Sequence, residues 1–113
     1  MYANFRDRTL AAADITLEDY VGKKDPKDTQ EKYIVIAEWF KEHLATEEIT
    51  TDHIFTAYKH LGWQSQLPPD PAQPLRDLKY KKHWLDSGAT RGSYRVNWSG
   101  TNWVNKMGAS TEK

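Results

Sequence analysis

The chain has 113 residues, the usual size of one domain, so a single hydrophobic core is expected. Hydrophobic residues make up 38% and charged residues 28%, and no apolar run is long enough for a membrane span. The lack of cysteine excludes disulfides, thiolate nucleophiles and cysteine-based zinc sites. The N-terminus lacks the apolar stretch of a secretory signal, so a cytoplasmic protein is expected.

The net charge is zero, but the two halves of the chain differ in charge. Residues 1–56 contain seven Lys or Arg against twelve Asp or Glu, a balance of −5. Residues 57–113 contain nine against four, a balance of +5. One basic face on a neutral protein is compatible with site-directed nucleic-acid binding, and the same pattern also fits an ordinary solvated surface.

The N-terminal part of the chain predicts an arm followed by one well-defined helix. Residues 1–28 are interpreted as a weakly structured arm with one short helix, which Thr16 would cap. Asp28 begins a capping-box-like sequence, and the apolar spacing that follows predicts a helix from Thr29 to Leu44. We expect one buried face and one solvated face on this helix.

A second helix is predicted between two local signals. Thr50 and Thr51 are N-cap candidates, and Gly62 is a typical C-terminal stop. The proline-rich stretch at 64–71 predicts a loop that is longer than a minimal helix-turn-helix connection. A third helix should therefore follow at an angle that the sequence leaves open.

The third helix and a hairpin follow this loop. The helix starts at Pro71 or at Pro74, since proline suits the first helical position, and ends near Lys82. Alternation of apolar and polar residues predicts strands at 84–86 and 93–98, joined by the glycine-containing turn between them. The pattern thus changes from helical to strand spacing after the third helix.

A last helix closes the chain. Ser99 is its predicted N-cap, and its apolar face contains Trp103, Val104 and Met107. Residues 108–113 are predicted to be a disordered tail. The predicted class is mainly α with a small β-hairpin, an α+β fold.

One part of the sequence resembles a known family. The sequence resembles the recognition helix, wing and strands of small prokaryotic winged helix-turn-helix proteins in two stretches separated by a turn with glycine. These stretches are LRDLKYKKHWL and SYRVNWSG. The resemblance runs from about residue 28 to 107 and implies a winged-helix domain at 29–107, with three helices, a wing and a short C-terminal helix. His83 stands where the family usually has glycine in a left-handed conformation.

The resemblance implies duplex DNA as a partner, with helix 74–82 in the major groove and the wing at 87–93 on the backbone. Arg76 is the best candidate for contacting guanine, and Gln73 could pair with adenine. The remaining candidates would contact phosphates or flank the helix. The full set of predicted DNA-binding residues is Gln73, Arg76, Lys79, Tyr80, Lys81, Lys82, Arg91 and Arg95. A prokaryotic regulator of transcription or of a mobile element is the expected function.

Other kinds of site find little support in the sequence. His53 and His60 are seven residues apart on one predicted helix, which is poor spacing for a metal site. Glu47 and Glu48 are interpreted as solvated neighbours on a loop. No glycine-rich phosphate loop and no nucleophile elbow is found, so no catalytic residue, metal or cofactor is expected.

The alternative hypothesis is a winged-helix module that binds a protein and no DNA. Trp39 lies off the main apolar stripe of its helix, beside Glu38 and Glu42, and an exposed tryptophan among acids would suit a protein partner. The acidic N-terminal half would then form the partner surface. A homodimer would allow two half-sites to be bound, but no long apolar helix outside the core indicates one.

Overall fold

The computed structural model describes residues 15–107, in which five α-helices and one two-stranded antiparallel sheet are found. The predicted α+β class is confirmed. The predicted tail and the first fourteen residues of the predicted arm lie outside the described residues. The elements are α1 (Leu17–Lys24), α2 (Thr29–His43), α3 (Thr51–Leu61), α4 (Gln73–Tyr80), β1 (Leu85–Ser87), β2 (Tyr94–Val96) and α5 (Trp98–Lys106).

The first two helices begin at the residues that their caps predict. The Thr16 hydroxyl accepts a hydrogen bond from the Asp19 amide at 3.1 Å, and the Asp28 carboxylate accepts one from the Glu31 amide at 2.8 Å. These side chains satisfy backbone donors that have no partner inside the helix. Both predicted helix starts are confirmed.

Helix α2 lies at the centre of the fold and has no solvated face along its middle part. Every residue from Tyr33 to Phe40 is buried, because α1, α4 and α5 all contact α2 from different sides. The prediction of one buried and one solvated face is therefore wrong for this part of the helix. Large rings fill much of the core, as the high aromatic content indicates.

Helix α3 has both predicted ends. The Thr50 hydroxyl and the His53 ring form a reciprocal capping box, and Gly62 ends the helix in the left-handed region at φ 76°. Trp63 then turns back, and its amide donates to the Tyr58 carbonyl at 2.8 Å. The predicted loop that follows contains one short 3-10 turn, Gln64–Gln66.

Helix α4 is shorter than predicted, since it begins at Gln73 and ends at Tyr80. His83, two residues after the C-cap Lys81, adopts the left-handed region at φ 61°. This conformation brings the Trp84 amide back to the Leu78 carbonyl at 2.8 Å and starts the next strand. The resemblance implied a left-handed residue at this position, and that expectation is confirmed.

The hairpin pairs β1 with β2, with Leu85 opposite Val96 and Ser87 opposite Tyr94. The strands lie within the predicted region, but β1 is shifted by one residue and β2 is shorter. Ile49, which lies between α2 and α3, forms an additional antiparallel bridge with Tyr94. This bridge attaches the hairpin to the helical body.

The predicted cap of the last helix is wrong. Asn97, not Ser99, is the N-cap of α5, and its side chain accepts a hydrogen bond from the Gly100 amide at 3.0 Å. The Asn97 amide group also donates to the His83 carbonyl at 3.0 Å, so this side chain connects the hairpin entry to α5. Within residues 15–107, no helix combines the length and the apolar content needed to cross a membrane.

Candidate nucleic-acid interface

One face of α4 is packed into the protein and the opposite face is open to solvent. Leu75 and Leu78 are fully buried, whereas the Tyr80 side chain is 65% exposed and Gln73 is also exposed. This arrangement follows the helical period of 3.6 residues, which places residues three apart on the same side. The predicted orientation of this helix is confirmed.

Arg76 is engaged in an ion pair that the sequence did not predict. Its Nη2 lies 2.8 Å from Asp70 Oδ2 and also donates to Gln73 Oε1 at 2.8 Å. Gln73 Nε2 in turn donates to Asp77 Oδ1 at 2.9 Å. The two predicted base-contacting residues are thus brought together, and each is linked to a carboxylate.

Lys79 connects α4 to the hairpin. Its ammonium lies 4.6 Å from the centroid of the Tyr80 ring and donates to the Tyr80 hydroxyl at 3.1 Å. The same ammonium donates to the hydroxyl of Ser87, the last residue of β1. The exposed face of α4 and the beginning of the hairpin turn therefore belong to one continuous surface.

Further cations lie at the end of α4 and in the hairpin turn. Lys81 is 3.9 Å from the Asp77 carboxylate, and the Lys82 ammonium lies 5.6 Å from the centroid of the Trp84 ring. Lys82 and Arg91 are exposed, and within residues 15–107 neither has a carboxylate within 4.0 Å. Their charges are therefore available to an anionic ligand.

The hairpin turn is held in place by Glu48, which corrects the prediction of a solvated loop residue. Its carboxylate accepts hydrogen bonds from the Ala89 amide at 3.1 Å and from the Ser93 hydroxyl at 2.9 Å. These two hydrogen bonds lower the pKa of Glu48 below its ordinary value, and the bond from the Ala89 amide has the larger effect. Arg95 lies 3.7 Å from the same carboxylate, so part of its charge is neutralised.

An aromatic group lies beside this surface. The rings of Trp84 and Trp103 stack with centroids 5.0 Å apart, and the Trp103 side chain is 38% exposed. Trp98 is 79% exposed at the first turn of α5. Trp98 was predicted to lie in the second strand, but β2 ends at Val96, two residues before the predicted end, and Trp98 is instead the first residue of α5.

The residues proposed for a protein partner do not form an exposed group. Trp39 is fully buried, and its indole Nε1 donates to the Ile15 carbonyl at 2.8 Å. Glu38 is also fully buried, where its carboxylate accepts a hydrogen bond from the Thr101 hydroxyl at 2.9 Å. Only Glu42 of the three is exposed. The prediction of an exposed Trp39 is wrong because α1 and α5 cover that side of α2.

The histidines have structural contacts. His53 Nδ1 accepts a hydrogen bond from the Thr50 amide at 3.0 Å in the capping box of α3. His60 Nε2 lies 3.0 Å from the Glu18 carboxylate. Among residues 15–107, no group of three His, Asp or Glu side chains is arranged to hold a metal ion.

Comparisons with protein families, with curated proteins and with solved structures give no match to this chain. Arguments about its function therefore depend on the geometry and charge of the surface itself. That surface combines an exposed helix face, a hairpin turn and several exposed cations.

Proposed function

We propose that the chain is a duplex DNA-binding protein with a winged-helix fold, in which α4 enters the major groove and the hairpin turn contacts the phosphate backbone. The observation that carries this proposal is the hydrogen bond from Lys79 to Ser87, which joins the exposed face of α4 to the hairpin. A major groove admits an α-helix, and an adjacent basic turn then meets the neighbouring phosphates.

The order of the elements supports the winged-helix part of the proposal. After α1, the three helices α2 to α4 precede the hairpin, and α5 follows it. The bridge between Ile49 and Tyr94 fixes the hairpin to the helices, and the Glu48 carboxylate fixes its turn. These contacts restrict the backbone of the turn that carries Arg91.

The charge of this surface supports DNA as the ligand. Residues 73–95 contain six Lys or Arg against two Asp, a balance of +4 inside a neutral chain. Cations without a nearby carboxylate release the counterions of DNA when they bind phosphates, and this release drives association. Within residues 73–95, Lys79, Lys82 and Arg91 have no carboxylate within 4.0 Å.

The residues divide into two roles in this proposal. Gln73 and Arg76, near the start of α4, would contact bases, and the cations after them would contact phosphates. Arg95 contributes less than the others because Glu48 lies beside it. Regulation of transcription or of a mobile element is the biological role that we propose for such a protein.

The experiment is fluorescence anisotropy with a mixed-sequence duplex over a range of salt concentrations. Wild-type protein should bind at micromolar concentration or tighter, with an affinity that falls steeply with salt. Two triple variants remove the same charge from different places. The test variant is Lys79→Gln, Lys82→Gln and Arg91→Gln, and the matched control is Lys23→Gln, Lys24→Gln and Lys59→Gln. These positions are exposed except Lys24 and Lys79, which are half-buried.

The test variant should lose affinity for every sequence, and its salt slope should fall by about two to three units, since each lost phosphate contact lowers it by about 0.9. The control should keep a slope close to that of the wild type. Equal losses in the two variants, or no binding at low salt, would contradict the proposal.

A second candidate function, contact with a protein, is supported by Trp98. Tryptophan is enriched at protein–protein interfaces, and Trp98 is 79% exposed. A second copy of the chain is the partner to test, by light scattering over a range of concentrations. A homodimer that Trp98→Ser converts to a monomer would support this candidate, and a monomeric wild type at high concentration would contradict it.

A further inference from the structure

We propose that Asp70 lowers the affinity of the α4 surface for DNA, because its ion pair with Arg76 competes with DNA for the guanidinium. This inference rests on the proposed DNA-binding function. The Arg76 and Asp70 side chains are 41% and 61% exposed, and 2.8 Å separates Nη2 from Oδ2. A duplex that approaches α4 therefore meets an arginine whose charge is already paired.

The competing contacts extend along the start of the helix. Gln73 accepts a hydrogen bond from the same Nη2 of Arg76 and donates one to Asp77 at 2.9 Å. Asp77 also lies 3.9 Å from the Lys81 ammonium. A base that binds Arg76 or Gln73 has to replace contacts with carboxylates, whereas phosphates can bind Lys82 without displacing any of these contacts.

The carboxylate of Asp70 is held in position for this role. Its Oδ1 accepts a hydrogen bond from the Ala72 amide at 3.2 Å, and its carbonyl accepts one from the Gln73 amide at 3.0 Å. The next residue, Pro71, is attached to α2 by a hydrogen bond from the Tyr33 hydroxyl to its carbonyl at 2.9 Å. Because Asp70 is already held in place, the entropic cost of the pair falls mainly on the Arg76 side chain.

The consequence is a lower affinity for any duplex that Arg76 contacts. A guanine presents two acceptors to the planar fork of arginine and can compensate for the lost ion pair. A single phosphate, or a base with one acceptor, compensates less. The free energy of the ion pair is lost equally for every sequence that Arg76 contacts, so Asp70 lowers the affinity for all of them by the same factor.

The test is a double-mutant cycle between Asp70→Asn and Arg76→Ala, measured by anisotropy with a mixed-sequence duplex. Asparagine keeps the acceptor for the Ala72 amide, and Asp70→Ser is a second variant that also keeps one. An exposed ion pair changes an equilibrium by up to about fivefold, so Asp70→Asn should raise the affinity by about two- to fivefold. This gain should disappear when Arg76 is alanine.

The control is Glu47→Gln, which removes one exposed carboxylate that has no hydrogen bond or ion pair within residues 15–107. A gain that persists in the Arg76→Ala background would overturn the inference, because Asp70 would then act only through its charge. If Asp70→Asn does not raise the affinity, while the triple variant of Lys79, Lys82 and Arg91 loses DNA binding, the inference is overturned and the proposed function remains. No DNA binding by any variant would overturn both.

Discussion

Replacing Glu38 by glutamine should make the protein more stable at pH 8, although Glu38 is a hydrogen-bonded residue of the core. Its carboxyl group is fully buried in α2, and the Thr101 hydroxyl donates to Oε1 at 2.9 Å. Its other oxygen, Oε2, is buried without a hydrogen-bond partner among the described residues. Burial first, and then the proximity of the Glu42 carboxyl group, raise the pKa of Glu38 to about 7.

The size and sign of the effect follow from this pKa. One pKa unit corresponds to about 1.4 kcal/mol, so a rise from the ordinary 4.5 to about 7 corresponds to about 3 kcal/mol. The folded state binds the proton more tightly than the unfolded state. Stability contributed by Glu38 is therefore present below about pH 4.5 and is lost as the pH rises through about 7. Glutamine stays neutral and can still accept the Thr101 hydrogen bond.

The assay is urea unfolding of both proteins, followed by tryptophan fluorescence, at several pH values between about 5 and 8. The quantity to compare is the difference in the free energy of unfolding between variant and wild type, since other groups titrate in both. This difference should rise with pH to at most about 3 kcal/mol at pH 8. The exposed variant Glu47→Gln is the control and should give a flat difference.

A difference for Glu38→Gln that does not depend on pH would refute this reasoning. It would mean that Glu38 is ionised at little cost in the folded protein and that its contacts with α5 do not desolvate it. A difference that falls with pH would reverse the sign and show that the ionised carboxylate stabilises the fold.

Three further substitutions test the fold. Gly100→Ala should destabilise the protein by about 1 to 3 kcal/mol in urea unfolding, because an added Cβ would lie 2.5 Å from the Trp84 carbonyl oxygen. Its control, Gly22→Ala in α1, meets nothing within 4 Å and should stabilise by up to about 1 kcal/mol. His83→Gly should raise the free energy of unfolding by about 0.5 to 1 kcal/mol, because the left-handed conformation at φ 61° costs histidine more than glycine; a loss of stability would contradict this. Glu48→Ala should accelerate hydrogen exchange of the Ala89 amide, measured by NMR, and an unchanged rate would mean that the turn does not depend on that carboxylate.

Local signals in the sequence were sufficient to predict where most helices begin and end. Thr16, Asp28 and Thr50 act on backbone amides within three residues, and Gly62 ends α3 through its own backbone conformation. Such effects need no knowledge of the rest of the fold. The error at α5 has the same origin, because Asn97 and Ser99 are both suitable caps and only the end of β2 selects between them.

The burial of α2 could not be predicted from local spacing. Glu38 and Trp39 look exposed on the helical period of α2 alone, and they are buried because α1 and α5 pack on that side. The exposed face of α4 was predicted because Leu75 and Leu78 define the buried side. The ion pair of Arg76 with Asp70 was not predicted, since it joins residues from a loop and a helix whose relative position depends on tertiary contacts.

The most direct test of DNA binding through α4 and the hairpin turn is an NMR titration of ¹⁵N-labelled protein with a mixed-sequence duplex at low salt. The account predicts that amide signals shift in the sequence from Gln73 to Lys82 and in the turn from Gly88 to Gly92, while those of α1 remain in place. Shifts confined to α1 or to the exposed side of α5 would contradict the account, and so would a spectrum that does not change.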